Sequence, residues 1–263
     1  MSRNLGEENE IFLKAFLLMM FFKKKHLTGP HNIGTIKSLS FSPDGVIPEW
    51  KNDYAVMLAD RDYESLKKIF PKAPTGSKAD LEINGIKYSV KNSLGAKSAI
   101  VNHTNRKGFL RVFDLLGIDI STLDKMIQDY WIKRNSGIIT EDISNSSVDS
   151  PFSKYKDYLK PVIEYFLFTG TGSKDSVFQA DKMFIFNEPE DMDSYKILNQ
   201  SETVDLLWDS LVFSLRSKKG MPTKKVSGDL INTYSEDEHP ELKPWVGYIE
   251  SSDYPKGALH IRT

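Results

Sequence analysis

The sequence predicts an α/β fold with a mixed β-sheet flanked by helices, and two kinds of pattern support this prediction. Apolar residues recur at helical spacing over residues 7–24, 155–168 and 201–215. Between the first two of these segments, residues 76–93 alternate between apolar and polar side chains on both sides of an Asn-Gly pair, which is typical of a tight β-hairpin. Helices around a hairpin and a few further strands indicate a sheet covered by helices.

The first predicted helix, residues 7–24, is apolar enough to be buried. Acidic residues precede its apolar run and three lysines follow it, an arrangement that the helix dipole favours. The run contains Lys14 and is too short to span a bilayer, and a signal peptide would place positive charge before it. We therefore expect no membrane partner. Residues 26–50 are rich in Gly, Pro and Ser and predict loops with one short strand, whereas residues 60–69 predict a helix.

The hairpin at residues 76–93 has a register that its two-residue turn fixes. A type I′ turn needs positive φ at both central residues, which Asn and Gly tolerate best. The predicted cross-strand pairs are Ile83–Ile86, Glu82–Lys87, Leu81–Tyr88 and Asp80–Ser89. Because side chains alternate along a strand, one face is apolar and the other is polar. The apolar face carries Leu81, Ile83, Ile86, Tyr88 and Val90. The polar face carries Asp80, Glu82, Lys87, Ser89 and Lys91.

The chain beyond the hairpin begins with a polar segment, residues 92–109, that is rich in basic and hydrogen-bonding side chains and lacks acids. The remaining predicted elements are a helix over 121–133, a polar loop or subdomain boundary over 135–151, and strands over 181–186, 245–250 and 257–262. Gly170 and Gly172 follow a predicted helix and do not open one, so they indicate a C-terminal cap and not a phosphate-binding loop.

The composition of the 263-residue chain limits the functions to consider. A net charge of −1 argues against a strongly basic nucleic-acid binder, although an enzyme with a local basic cleft remains compatible with it. The absence of cysteine excludes disulfides, thiolate metal sites and cysteine nucleophiles, and we expect a cytoplasmic, reducing location. Five scattered histidines do not predict a His-rich metal site.

The polar face of the hairpin suits metal-dependent hydrolysis of a phosphodiester. The Asp80 carboxylate is suited to hold Mg²⁺ beside a scissile phosphate, and the Lys91 ammonium is suited to position or deprotonate the attacking water. The alternative is an ordinary solvated face with a Glu82–Lys87 cross-strand ion pair.

The order Asp80, then Ser89-Val90-Lys91, resembles the PD-(D/E)xK nuclease core. The continuation through Asn92-Ser-Leu-Gly95 to Asn102 and Thr104 is similar to type II restriction endonucleases with a Ser-x-Lys variant of that core. Residues 160–186 and 257–263 resemble the same group less strongly. The resemblance implies a PD-(D/E)xK restriction-endonuclease-like core in a single domain, residues 1–263, with the catalytic hairpin at 76–93 and a recognition subdomain within 136–263. It further implies Mg²⁺-dependent cleavage of double-stranded DNA at a short specific sequence by a homodimer.

The resemblance assigns roles to individual residues of this chain. Asp80 becomes the principal metal ligand and Lys91 the water-positioning group. Ser89 occupies the place of the family's second acid and cannot ligate a hard metal, so another carboxylate is needed. Glu10 in the first helix is our preferred donor, with Glu7 and Glu8 as alternatives. Glu82 is a further candidate, about 6–7 Å along the strand from Asp80. The alternative role of Glu10 is that of a helix N-terminal acid that interacts with the dipole.

DNA contacts are expected from basic and amide side chains that follow Lys91, because such groups reach phosphates and base edges. The candidates are Lys97, Asn102, His103, Arg106 and Lys107, and the basic segment 216–225 suits phosphate neutralisation. A solvated loop is the alternative for each of them. Two other functions stay open: a DNA repair or mobile-element nuclease with the same core, and a catalytically inactive DNA-binding protein.

Overall fold

The computed structural model describes residues 5–70, 73–74, 76–93, 99–216, 245–247 and 256–263, which adopt the mixed α/β fold that the sequence predicts. The chain divides into two compact units. The first comprises Met1–Ala96, Leu167–Gly170 and Asp175–Thr203, and the second comprises Lys97–Phe166, Thr171–Lys174 and Val204–Thr263. The range 136–263, where we expect a recognition subdomain, therefore contributes to both units.

Seven α-helices and eleven strands are present in the described residues. The helices are α1 (Leu5–Phe22), α2 (Asp53–Ala59), α3 (Tyr63–Ile69), α4 (Arg106–Leu116), α5 (Ser121–Asn135), α6 (Lys156–Glu164) and α7 (Gln200–Leu207). The strands are β1 (His26–Leu27), β2 (Gly34–Thr35), β3 (Leu39–Ser40), β4 (Leu81–Ile83), β5 (Ile86–Asn92), β6 (Ala99–Asn105), β7 (Ile143–Ser144), β8 (Lys182–Phe186), β9 (Lys196–Leu198), β10 (Val212–Arg216) and β11 (Ala258–Arg262). Among the described residues, no helix combines the length and the apolar composition that crossing a bilayer requires.

The first unit is built on a five-stranded mixed sheet in the order β3-β4-β5-β8-β9. Strands β5 and β8 are parallel, and the other neighbours are antiparallel. Helix α1 packs on β5 and α3 and is buried along most of its length, from Ile11 to Leu18. Its apolar side chains share one core with Leu81, Tyr88 and Val90 of the hairpin. The expected buried helix over 7–24 is thus present, and it covers the sheet beside the hairpin.

The β4–β5 hairpin has the predicted turn and register. Asn84 and Gly85 have φ angles of 54° and 80°, and Ile83 pairs with Ile86. The Asn84 side chain accepts a hydrogen bond from the backbone N–H of Lys37 at 2.7 Å, which ties the turn to the neighbouring chain segment. The apolar face is buried as predicted, with Ile86 half-buried beside the turn. The polar face is not wholly solvated, because Ser89 is buried as well.

The second unit contains an antiparallel sheet in the order β6-β11-β10-β7, covered by aromatic side chains. Phe152 stacks on Phe213 of β10 with ring centroids 4.2 Å apart, and Phe109 of α4 packs against Phe166 and Trp245. Strand β11 confirms the predicted strand over 257–262. Of the predicted strand over 245–250, residues 248–250 lie outside the described residues, and Gly247 forms a single antiparallel bridge with Lys256.

The described part of the polar segment 92–109 contains β6 and the start of α4, where the Asn105 side chain accepts from the N–H of Gly108 as a helix cap. The alternative of a solvated loop therefore does not apply to Asn102, His103, Arg106 and Lys107. One element prediction is wrong. The predicted helix over 201–215 ends at Leu207, and β10 replaces its second half. Val212, Phe213 and Leu215 fit a strand as well as a helix, and pairing with β11 and β7 decides between them.

A candidate metal centre beside the hairpin

Asp80 immediately precedes β4 and is fixed by the backbone of the hairpin. Its N–H donates to the Tyr88 carbonyl at 2.8 Å, and its carboxylate oxygen Oδ2 accepts from the Val90 N–H at 2.7 Å. The side chain is half-buried. Because a backbone N–H is a rigid donor, this contact holds the carboxylate in one orientation at the point where β5 approaches its end.

Glu10 enters the same region from helix α1. Its carboxylate oxygen Oε1 accepts a hydrogen bond from the Lys14 ammonium, one helical turn later, at 2.7 Å. Lys14 is only 1% exposed, so its charge must be balanced inside the protein, and the Glu10 carboxylate balances it. The pair therefore holds the Glu10 carboxylate in place on α1.

The electrostatics of Asp80 link it to Glu10. Burial and, after it, the negative charge of Glu10 raise the pKa of Asp80 to about 6, against the opposing effects of Lys91, the Val90 N–H and Lys14. A carboxylate on the first helix and a carboxylate on the hairpin thus repel each other across one site. A carboxyl pKa raised in this way marks a position where a cation would be stabilised, and such positions are frequent at functional sites.

Two lysines complete the charged cluster. Burial and, after it, the charge of Lys91 lower the pKa of Lys78 to about 8, against the opposing effect of Asp80. Lys78, Asp80 and Lys91 are therefore electrostatic neighbours. The sequence analysis missed Lys78, although a residue two positions before Asp80 is expected on the same face of an extended chain.

The other predicted carboxylates have different environments. Glu82 lies opposite Lys87 in the β4–β5 ladder and is not among the main charges that act on the pKa of Asp80. Glu7 accepts a hydrogen bond from the Tyr63 hydroxyl at 3.4 Å, and Glu8 is buried within α1. Of the three glutamates proposed from the first helix, Glu10 is the one whose charge reaches Asp80.

Glu10 and Asp80 are the two carboxylates that the electrostatics link here, and they are the candidates to hold a metal ion. Within the described part of the chain, no group of three or more His, Cys, Asp or Glu side chains is placed to hold a metal. Two carboxylates nevertheless fit Mg²⁺, because this ion keeps several waters and is commonly held by one or two carboxylates together with substrate phosphates.

The residues predicted to contact DNA lie in different structural environments. Asn102 is exposed on β6, and Lys107 is exposed in the first turn of α4. His103 on β6 is half-buried against His260. Lys97 and the basic residues beyond Arg216 in the segment 216–225 lie outside the described residues.

Arg106 is buried and forms a two-point ion pair with Asp124. Its Nε and Nη2 atoms donate to the two carboxylate oxygens at 2.9 and 2.8 Å. The Trp245 indole also donates to Asp124, at 2.6 Å. A guanidinium held in this way stabilises the second unit and is poorly placed to read DNA, so we leave Arg106 out of the proposed interface.

The segment 170–181, which carries part of the sequence resemblance, supports the hairpin. The Asp181 carboxylate accepts from the Lys87 N–H at 2.8 Å, and the Asp181 N–H donates to the Lys87 carbonyl at 2.8 Å. Asp181 therefore anchors the start of β8 to β5 and brings no additional charge to the Glu10–Asp80 pair.

Comparison of this chain with protein-family models, with curated proteins and with solved structures gives no match.

Proposed function

We propose that this chain is a metal-dependent phosphodiesterase with a PD-(D/E)xK-like site. More specifically, we propose a type II restriction endonuclease that hydrolyses double-stranded DNA. One observation carries the proposal: Glu10 of α1 acts on the pKa of Asp80, in the same cluster as Lys91. Ser89 leaves the site one acid short of the nuclease pattern, and a glutamate from the first helix supplies the missing negative charge.

The residues of the cluster divide the chemistry among them. Asp80 and Glu10 are the carboxylates that would hold Mg²⁺, and the bound ion would polarise the phosphate and lower the pKa of the attacking water. The Val90 N–H orients Asp80, and Lys14 orients Glu10. Lys91 positions the water and offsets the negative charge that develops on the phosphate.

Site specificity and dimer formation are parts of the proposal that rest on the sequence resemblance. A twofold dimer would match a short palindromic site, because the symmetry of the protein and that of the DNA then coincide. The DNA-binding candidates that remain are Asn102, His103 and Lys107, with Lys97 beyond the described residues.

The test is digestion of plasmid DNA by the purified protein with Mg²⁺, with Ca²⁺ or with EDTA. The variants Asp80→Ala, Lys91→Ala and Glu10→Gln should each lose cleavage by at least about 100-fold, since each removes a group that acts in the transition state. Glu82→Gln is the matched control, because it removes a carboxylate from the same hairpin outside the cluster and should leave cleavage nearly unchanged.

The outcomes separate the candidate functions. Discrete fragments with Mg²⁺ support a restriction endonuclease, and a smear supports a less specific nuclease of the repair or mobile-element kind. Undiminished cleavage by Lys91→Ala or Asp80→Ala would show that the chemistry lies elsewhere. The second candidate, an inactive DNA-binding protein, is favoured by Ser89 in the place of an acid, and binding without cleavage under all metal conditions would support it.

A further inference from the structure

A β-bulge in the second unit places two histidines against each other. Thr104 pairs with Leu259 and Val101 pairs with Ile261, so that two residues of β6, Asn102 and His103, lie opposite the single residue of β11 between these pairs. That residue is His260. His103 has a φ of 43°, a left-handed conformation that is uncommon outside Gly but that Asn, Asp and His adopt more often than other residues. The bulge therefore holds His103 in an uncommon backbone conformation beside β11.

The two imidazole rings meet edge to face, with centroids 5.0 Å apart. Both side chains are half-buried. Within the described residues, the Nδ1 atom of His260 is buried and has no hydrogen-bond partner. A buried ring nitrogen without a partner is costly, and a site that retains one is a candidate for binding a ligand.

The charges around the histidines are mainly positive. Arg216 at the end of β10 and Arg262 on β11 both donate to the Asp142 carboxylate, at 2.7 and 2.9 Å. Glu141 is shared by Arg216 at 3.2 Å and Lys256 at 2.9 Å. Three cations thus share two carboxylates. The carboxylates hold the side chains of Arg216, Arg262 and Lys256 in place, and the group as a whole keeps a net positive charge.

The balance of these charges acts on His260. Burial lowers the pKa of His260, and the charges of His103, Arg216 and Arg262 lower it further, while Asp142 opposes them. The strands on either side of β11 contribute two polar residues. Asn102 lies in the β6 bulge, and Ser214 of β10 is buried and pairs with His260 in the β10–β11 ladder. Burial and surrounding positive charge thus both disfavour the protonated imidazole, and a bound anion would oppose them.

We propose that His103 and His260, with Arg216 and Arg262, form a phosphate-binding site that takes up a proton when a DNA phosphate binds. The proposal rests on the DNA-binding function proposed above and assigns part of the DNA contact to the sheet of the second unit. Neutral imidazole has one N–H donor, whereas imidazolium has two, so protonation adds both a charge and a donor toward the phosphate. The sequence singled out His103 as a DNA contact, but His260 became a candidate only when β11 was found beside β6.

The first measurement is an NMR titration of the histidine Cε1–H signals in the metal-free protein. The signals are followed from pH 5 to 8.5 alone, with inorganic phosphate, and with a short DNA duplex. Duplex should raise the pKa of His260 by about one unit or more, as a nearby opposite charge does. A His260 signal that does not respond to duplex would refute the proposal, as would a response to inorganic phosphate that duplex does not reproduce.

The second measurement is duplex affinity as a function of pH in EDTA, by fluorescence anisotropy. Uptake of one proton should strengthen binding by up to about tenfold for each pH unit of acidification through the titration range. The variants His260→Gln and His103→Asn should flatten this dependence, and Asn is chosen because it tolerates positive φ. His31→Gln, at an exposed position of the first unit, is the control and should retain the wild-type slope.

The experiment distinguishes this inference from the proposed catalysis. Mg²⁺-dependent cleavage with a pH slope that survives both histidine substitutions would refute the phosphate site and leave the nuclease intact. Proton-linked binding without cleavage would support the phosphate site and refute the nuclease.

Discussion

Asp80→Asn tests the electrostatic description of the candidate metal centre through stability alone. In the unfolded chain Asp80 has its usual pKa of 3.8, and in the folded protein its pKa is about 6. The folded state therefore binds this proton more tightly, so the stabilising effect of protonation is present at low pH and is lost as the pH rises through 4 to 6. This rise in pKa corresponds to about 3 kcal/mol of stability lost by ionisation of Asp80 above pH 6.

Asparagine retains the oxygen that accepts from the Val90 N–H but removes the charge that Glu10 and burial oppose. We expect Asp80→Asn to be more stable than wild type at pH 8 by up to about 3 kcal/mol, and nearly equal to it below pH 4. The assay is urea unfolding followed by circular dichroism in EDTA, at pH 8, 7, 5 and 4. The difference between the two proteins cancels the titration of the groups that the charge of Asp80 does not influence.

Asp181→Asn is the matched control for this experiment. Asp181 also accepts from a backbone N–H of the hairpin, that of Lys87 at 2.8 Å, but it stands outside the Glu10–Asp80 pair. No pH-dependent gain in stability is expected from it. The reasoning would be refuted if Asp80→Asn were no more stable than wild type at pH 8, or if its advantage were the same at every pH.

Two further predictions concern metal binding and the buried arginine. Mg²⁺ at 100 times its dissociation constant should stabilise the wild-type protein at pH 8 by about 2.7 kcal/mol, which is measured as a rise in melting temperature. Asp80→Asn and Glu10→Gln should gain little stability from Mg²⁺. Equal gains in all three proteins would place the metal elsewhere. Arg106→Met leaves the half-buried Asp124 carboxylate without its cation and should cost about 3 kcal/mol in urea unfolding, while duplex affinity per folded molecule stays within about twofold. A large loss of affinity at unchanged stability would return Arg106 to the DNA interface.

The hairpin could be predicted from the sequence because its determinants are local. The Asn84-Gly85 turn and the alternation on either side fix register, faces and the proximity of Asp80 to β5 within about 15 residues of chain. The second half of the predicted helix over 201–215 failed for the opposite reason. Val212 to Leu215 satisfies two periodicities, and only pairing with β11, over 40 residues later, selects the strand.

The candidate site was predictable only in part, because it too depends on contacts between segments that are distant in the sequence. The place of Glu10 beside Asp80 depends on how α1 packs against β5, and no local pattern encodes that contact, so the sequence resemblance alone pointed to it. The loss of solvent that shifts the pKa of Lys78 likewise results from packing. The histidine pair depends on a bulge between β6 and β11, which lie near opposite ends of the second unit in the sequence.

In the proposed metal site, the position of Ser89 gives a physical reason why a glutamate on α1 would substitute for an acid on β5. Ser89 is buried and adjoins Val90, whose N–H holds Asp80. An ionised carboxylate at residue 89 would be desolvated and would stand near Asp80 and Glu10, where the pKa of Asp80 is already raised. The Glu10 carboxylate on α1 is instead partly exposed and is paired with the buried cation of Lys14. The proposed site would therefore hold two carboxylates at a lower desolvation cost than with an acid at residue 89. On this reasoning Lys14 and Glu10 act as one unit, and the serine is a consequence of where that unit packs.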